Sequence, residues 1–120
     1  MNSQLSEMLG KALPTTNRKS NTASAIVFQI ENMPKEAYRL IVNEKGIEIV
    51  ASDPVGAFYG IQSLLALLPP SSWAKTQTSL MVTGVEVSDQ PRFGHRAIML
   101  DVARHFHSKK QLLKLLDLMS

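Results

Sequence analysis

No cysteine occurs among the 120 residues, which excludes disulfides and Cys-based zinc sites and leaves the redox compartment open. Aromatic residues are scarce at 6%, so the stacking platforms that a single-stranded nucleic-acid binder uses are largely missing. The longest apolar stretch, Val55 to Leu68, covers 14 residues and is interrupted by Gln62 and Ser63, against the roughly 20 needed to span a bilayer. No membrane partner is expected, the N-terminus lacks the charged start and apolar core of a signal peptide, and the chain is expected to be soluble. At about 150 residues per domain, the length leaves room for about one domain and excludes a complete large enzyme. What is present, 44% hydrophobic and 19% charged residues, suits one modest globular core.

The net charge of +3 is unevenly placed. Residues 1–89 carry 7 basic and 8 acidic groups, whereas residues 90–120 sum to +4 and hold all three histidines, His95, His105 and His107. A nucleic-acid reading of that basic quarter needs a stripe of Lys and Arg interleaved with aromatics, and Phe93 and Phe106 alone are available. No nucleic-acid partner is expected.

Leu5, Met8, Leu9, Ala12 and Leu13 recur at helical spacing, and Pro14 ends the pattern. A polar loop follows through Asn17, Arg18, Lys19, Ser20 and Asn21. Ile26, Phe28 and Ile30 alternate as a half-buried strand, and Tyr38, Leu40 and Val42 as a second. Asn43-Glu44-Lys45-Gly46 reads as a tight turn, with Gly46 supplying a positive φ, into a third strand of Ile47, Ile49 and Ala51. Asp53-Pro54 is a helix start, because aspartate caps free N–H groups and proline at the first helical position loses no hydrogen bond. Phe58, Ile61, Leu65 and Leu68 mark its apolar face, Pro69-Pro70 stops it, and Gly56 with Gly60 predicts close packing of helix on sheet. Leu80, Val82, Val85 and Val87 read as a fourth strand with a bulge at Thr83-Gly84.

After Pro91 the pattern changes. Ala97-Ile98-Met99-Leu100 is a continuous apolar run, as in a strand covered on both faces. Ser108 with Gln111 forms a capping box ahead of the stripe Leu112, Leu113, Leu115, Leu116 and Met119. One such βα unit cannot bury its own faces, so a larger α/β domain is expected to begin here.

The segment Pro91-Arg92-Phe93-Gly94-His95-Arg96-Ala97-Ile98-Met99-Leu100-Asp101-Val102-Ala103-Arg104-His105-Phe106 closely resembles the opening of the catalytic barrel in β-N-acetylhexosaminidases of glycoside hydrolase family 20. Glu36-Ala37-Tyr38-Arg39-Leu40, Gly46-Ile47-Glu48-Ile49 and Gly56-Ala57-Phe58-Tyr59-Gly60-Ile61-Gln62-Ser63-Leu64 resemble the small domain before that barrel. Ala97 departs from the family, which usually has glycine there. The strand and helix patterns predict an α+β fold over residues 1–89, a four-stranded, mostly antiparallel sheet with helices on one face, and the resemblance implies that 90–120 is the first βα unit of a truncated (β/α)8 barrel.

The resemblance implies hydrolysis of terminal N-acetyl-D-hexosamine residues from β-glycosides with retention, the substrate's own 2-acetamido oxygen acting as nucleophile. N-acetylhexosamine-containing glycans are the expected partners of the intact parent, and no cofactor is implied. The family's catalytic carboxylates form an adjacent Asp-Glu pair, and this sequence contains no Asp-Glu dipeptide, so no catalytic residue is assigned and the chain alone is expected to be inactive. Arg96 matches the family arginine that grips sugar hydroxyls; the alternative is a structural ion pair. Asp101 is expected to hold Arg104. No metal site is expected from the histidines, and no Ser108-His105-Asp101 triad, since Ser108 is taken up as a helix cap. A non-catalytic carbohydrate-contact or interaction module is the alternative function. A homodimer through the orphan strand and helix is the expected assembly.

Overall fold

A computed structural model describes residues 2–10, 14–16 and 25–119. Eight elements follow in order: α1 (Asn2–Leu9), β1 (Ile26–Ile30), β2 (Tyr38–Asn43), β3 (Gly46–Ala51), α2 (Pro54–Ala66), α3 (Ser71–Ala74), β4 (Val85–Asp89) and α4 (Lys109–Met119). The expected continuation of the first helix through Ala12 and Leu13, and the polar loop Asn17 to Asn21, lie outside the described residues.

The strands form one sheet in the order β1-β3-β2-β4, with β1 parallel to β3 and the other two pairings antiparallel. The β2–β3 hairpin closes with Asn43 opposite Gly46, whose φ of 134° is a backbone region that a side chain would strain. The Asn43 side chain accepts from the Lys45 N–H at 2.8 Å inside that turn. This register puts Leu40 opposite Ile49 and Tyr38 opposite Ala51, so one face collects a buried cluster of Tyr38, Leu40, Val42, Ile49 and Ala51, to which α2 adds Leu64. Met8 of α1 meets Leu65 and Leu68 in an adjoining cluster.

The two glycines of α2 explain how closely it lies on the sheet. A Cβ on Gly56 would sit 2.4 Å from the Ala37 carbonyl oxygen, and one on Gly60 would sit 2.6 Å from the Ile49 side chain and 3.3 Å from the Tyr38 ring. The buried line along the helix is therefore Gly56, Gly60 and Leu64, with Leu65 beside it, and Phe58 of the expected apolar face is only half-buried. At the far end the Tyr38 hydroxyl shares a hydrogen bond with Ser63 Oγ at 2.5 Å.

Three local expectations are corrected. The fourth strand begins at Val85 rather than Leu80, because Val85 stands opposite Val42 and β2 turns away at Asn43, leaving residues 80–84 nothing to pair with. Leu80 and Val82 pack instead against the Met8, Leu65 and Leu68 cluster. In β1, Phe28 and Ile30 are exposed, since α2 covers β2 and β3 and not this edge. The third concerns Ala97 to Leu100, which is not a strand: no described strand lies beside it, and Met99 is 96% exposed. The helix after it does form, with Ser108 N–H donating to Gln111 Oε1 at 2.8 Å and Gln111 N–H returning to Ser108 Oγ at 3.4 Å, but α4 buries none of its residues.

Because the Gly56 contact is with backbone that cannot step aside, Gly56→Ala is expected to destabilise the chain by about 1–3 kcal/mol despite alanine's better helix propensity. Gly94→Ala, where a Cβ meets nothing within 4 Å, should stay within about 0.5 kcal/mol of wild type. Urea unfolding of both variants checks the contrast, and equal midpoints would contradict the close-packing account.

Candidate functional site

Asp53 is where the hairpin ends and α2 begins. Its Oδ1 accepts from the Val55 and Gly56 N–H groups, each at 2.9 Å, capping two donors that the first helical turn leaves free. Its Oδ2 accepts from the Glu36 N–H at 2.9 Å and from Ser52 Oγ at 3.0 Å. One carboxylate thus ties the helix start to the loop before β2. The Gly56 N–H first, then the Glu36 N–H, hold this carboxyl below its ordinary value, with Ser52 and Val55 adding to them and partial desolvation opposing.

The Glu36 held in this way has a φ of 62°, the one positive value among the described non-glycine residues. Its side chain meets Arg96, whose Nη2 donates to Glu36 Oε2 at 2.7 Å and to the Tyr59 hydroxyl at 2.9 Å, while Nη1 donates to the Phe93 carbonyl at 2.6 Å. The guanidinium also lies 5.8 Å from the centre of the Tyr59 ring, within cation–π range. Glu36 is largely covered, at 19% side-chain exposure, and Arg96 is open at 45%. The hydrogen bond to Glu36, followed by the one to Tyr59, pushes the guanidinium above its already high ordinary value, so it is cationic at any working pH.

Arg96 was legible as a candidate from the sequence, but its two partners were not. Glu36 and Tyr59 sit in the stretches that carry the resemblance, yet they lie 60 and 37 residues from Arg96, a separation no local periodicity bridges.

Farther along, Asp101 accepts from the Ala103 and Arg104 N–H groups at 3.0 and 3.1 Å and pairs with Arg104 Nε at 2.8 Å. The Arg104 and Ala103 amides keep its carboxyl below the ordinary range. Ser108 is engaged with Gln111. Asp101, His105 and Ser108 are therefore not brought into a relay, and among the described residues no three His, Asp or Glu side chains stand close enough to hold a metal. A depression of about 270 Å³ lined by Glu7, Met8, Ser72, Trp73, Ala74, Lys75 and Thr76 shares no residue with the Arg96 cluster.

Residues 1–90 match Glycosyl hydrolase family 20, domain 2, and residues 93–120 match the Glycosyl hydrolase family 20, catalytic domain. Over 90 residues the chain is 41% identical to a beta-hexosaminidase of Porphyromonas gingivalis, an alignment covering 73% of this chain and 12% of that protein. Over 84 residues it is 39% identical to the N,N'-diacetylchitobiase of Vibrio harveyi, covering 70% of this chain and 9% of that one. A mutant Streptomyces plicatus beta-hexosaminidase solved in complex with its product, GlcNAc, superimposes with a TM-score of 0.78 at 31% identity, over 97% of this chain and 24% of that one. The chain thus spans a small part of the length of the relatives it matches.

The depressed Asp53 carboxyl sets an acid limb. A folded value below the unfolded one contributes stability that is present above the unfolded value and lost as pH falls through the folded one. The gap in Tm between wild type and Asp53→Asn should therefore be widest near neutrality and narrow below about pH 4. A gap independent of pH in thermal unfolding from pH 7 to pH 3 would contradict the assignment.

Proposed function

The chain belongs to glycosyl hydrolase family 20, and from that membership we propose that it forms the small domain and the barrel opening of a β-N-acetylhexosaminidase, with the division falling near residue 90. In this reading the complete polypeptide releases terminal N-acetyl-D-hexosamine residues from β-glycosides with retention. The substrate's acetamido oxygen attacks the anomeric carbon, so the protein must supply a general acid for the leaving oxygen and a carboxylate for the developing positive charge. Neither falls within this chain, which has no Asp-Glu pair.

The contribution of these 120 residues is binding and orientation. Arg96 supports the reading best: it lies in the stretch matching the catalytic domain, it is 45% exposed, and it is fastened to the stretch matching domain 2 through Glu36 and Tyr59. Of the five N–H donors of a guanidinium, the three described bonds engage three, leaving two for neighbouring sugar hydroxyls. The charged fork strengthens each such bond over a neutral one.

Two outcomes follow. The chain by itself should not turn over a chromogenic N-acetyl-β-D-glucosaminide. In the complete enzyme, Arg96→Lys should lower kcat/KM tenfold or more, because the ammonium keeps the charge and loses the planar fork. Turnover by the purified chain, or an unaltered kcat/KM in the variant, would contradict the reading.

The uncovered apolar surface supports a further element, self-association of the isolated chain. Ile98 and Met99 are 58% and 96% exposed, and the Leu113, Leu116 and Leu118 side chains of α4 stand open as well. Burying one leucine side chain fully is favourable by roughly 1.5–3 kcal/mol, so a paired copy covering several offsets the entropy of association. Light scattering across a concentration series should show a dimer, and a monomer at every concentration would contradict it.

A further inference from the structure

Resting on the sugar-binding reading of Arg96, we infer that Glu36 and Tyr59 of the small domain are positioning residues for that guanidinium, so that the domain outside the barrel sets the geometry of a contact inside it. Nη2 is shared between the Glu36 carboxylate at 2.7 Å and the Tyr59 hydroxyl at 2.9 Å, and Nη1 is fixed by the Phe93 carbonyl at 2.6 Å. Bonds from three separate segments define the plane of the group and its rotation about the last side-chain bond. An arginine held in this way arrives at a ligand with its rotamer entropy already spent, which raises affinity without adding a contact.

The construction of the support argues that it is more than a surface ion pair. A pair whose cation is as open as Arg96 contributes little to stability, and a left-handed backbone at a non-glycine residue is a standing cost. Glu36 nonetheless adopts a φ of 62° and is held there by the Asp53 carboxylate through its own N–H. The same Asp53 caps α2, the helix that carries Tyr59, so a single side chain fixes the origin of both partners. Strain retained for so small a stabilising return is expected where geometry at a binding group is what matters. The two remaining guanidinium donors belong to a group already immobilised on its other edge.

The test uses a complete β-hexosaminidase carrying this chain as its small domain and barrel opening. Glu36→Gln should raise KM for a chromogenic N-acetyl-β-D-glucosaminide three- to tenfold with kcat within about twofold of wild type, since hydroxyl contacts of this kind act on bound substrate and transition state alike. Tyr59→Phe should do the same more weakly. Combining Glu36→Gln with Arg96→Lys should be no worse than Arg96→Lys alone, the mark of a residue acting through another. If Arg96→Lys lowers kcat/KM while Glu36→Gln and Tyr59→Phe do not, the positioning role is overturned and the sugar contact stands. If Arg96→Lys changes nothing, both fall. Should Glu36→Gln impair folding, nitrogen-15 NMR of the 120-residue chain decides: Arg96 should show separate, slowly rotating Nη resonances that Tyr59→Phe averages. Averaged resonances already in the wild-type chain would overturn the inference.

Discussion

The carboxylate of Asp53 accepts from two N–H groups at the start of α2, from the Glu36 N–H, and from the Ser52 hydroxyl, all between 2.9 and 3.0 Å. Without this carboxylate the helix would lose its cap and the loop before β2 its anchor. With both held, the first turn of α2 is drawn against the Ala37 carbonyl so closely that glycine is required at position 56. That approach carries α2 over β2 and β3 and sets the depth of the core. It also places Tyr59 and Glu36 on a common side, where Arg96 finds them.

The fold separates into a part with its own core and a part without one. Through Asp89 the buried residues run from Met8 to Ser72 and lie in the sheet, α2 and the segments beneath it. From Arg92 to Arg104 every residue is exposed, and α4 buries none of its side chains. Among the described residues, the Arg96 bonds to Glu36 and Tyr59 tie the second part to the first, between stretches matching two different domains of the family. Arg96, one of the basic residues gathered in 90–120, thus meets an acidic partner, Glu36, in the stretch matching domain 2.

Features governed by neighbouring residues were legible in the sequence. The Gly46 turn, the Asp53-Pro54 helix start, the Gly56 and Gly60 contacts and the Ser108–Gln111 capping box all depend on spacings of one to four residues, and each forms where expected. Features governed by what lies alongside were not. β4 is shorter than its apolar residues suggest because its partner turns away, and β1 exposes Phe28 because α2 runs over the other strands. Ala97 to Leu100 has the composition of a buried strand without a strand to pair with, since hydrophobicity favours burial but a ladder needs a second backbone. At the site, one of three residues could be named beforehand: Arg96 through its motif, while Glu36 and Tyr59 became visible once the chain had folded back on itself.

The central claim, that this junction holds a sugar-contacting arginine in place from outside the barrel, is tested most directly by a crystal structure of the complete enzyme with N-acetylglucosamine bound. The account predicts that the Arg96 guanidinium touches a sugar hydroxyl while remaining within hydrogen-bond distance of both Glu36 and the Tyr59 hydroxyl. An Arg96 that reaches the sugar only by leaving Glu36 and Tyr59, or that stays with them and makes no contact with the sugar, would contradict it.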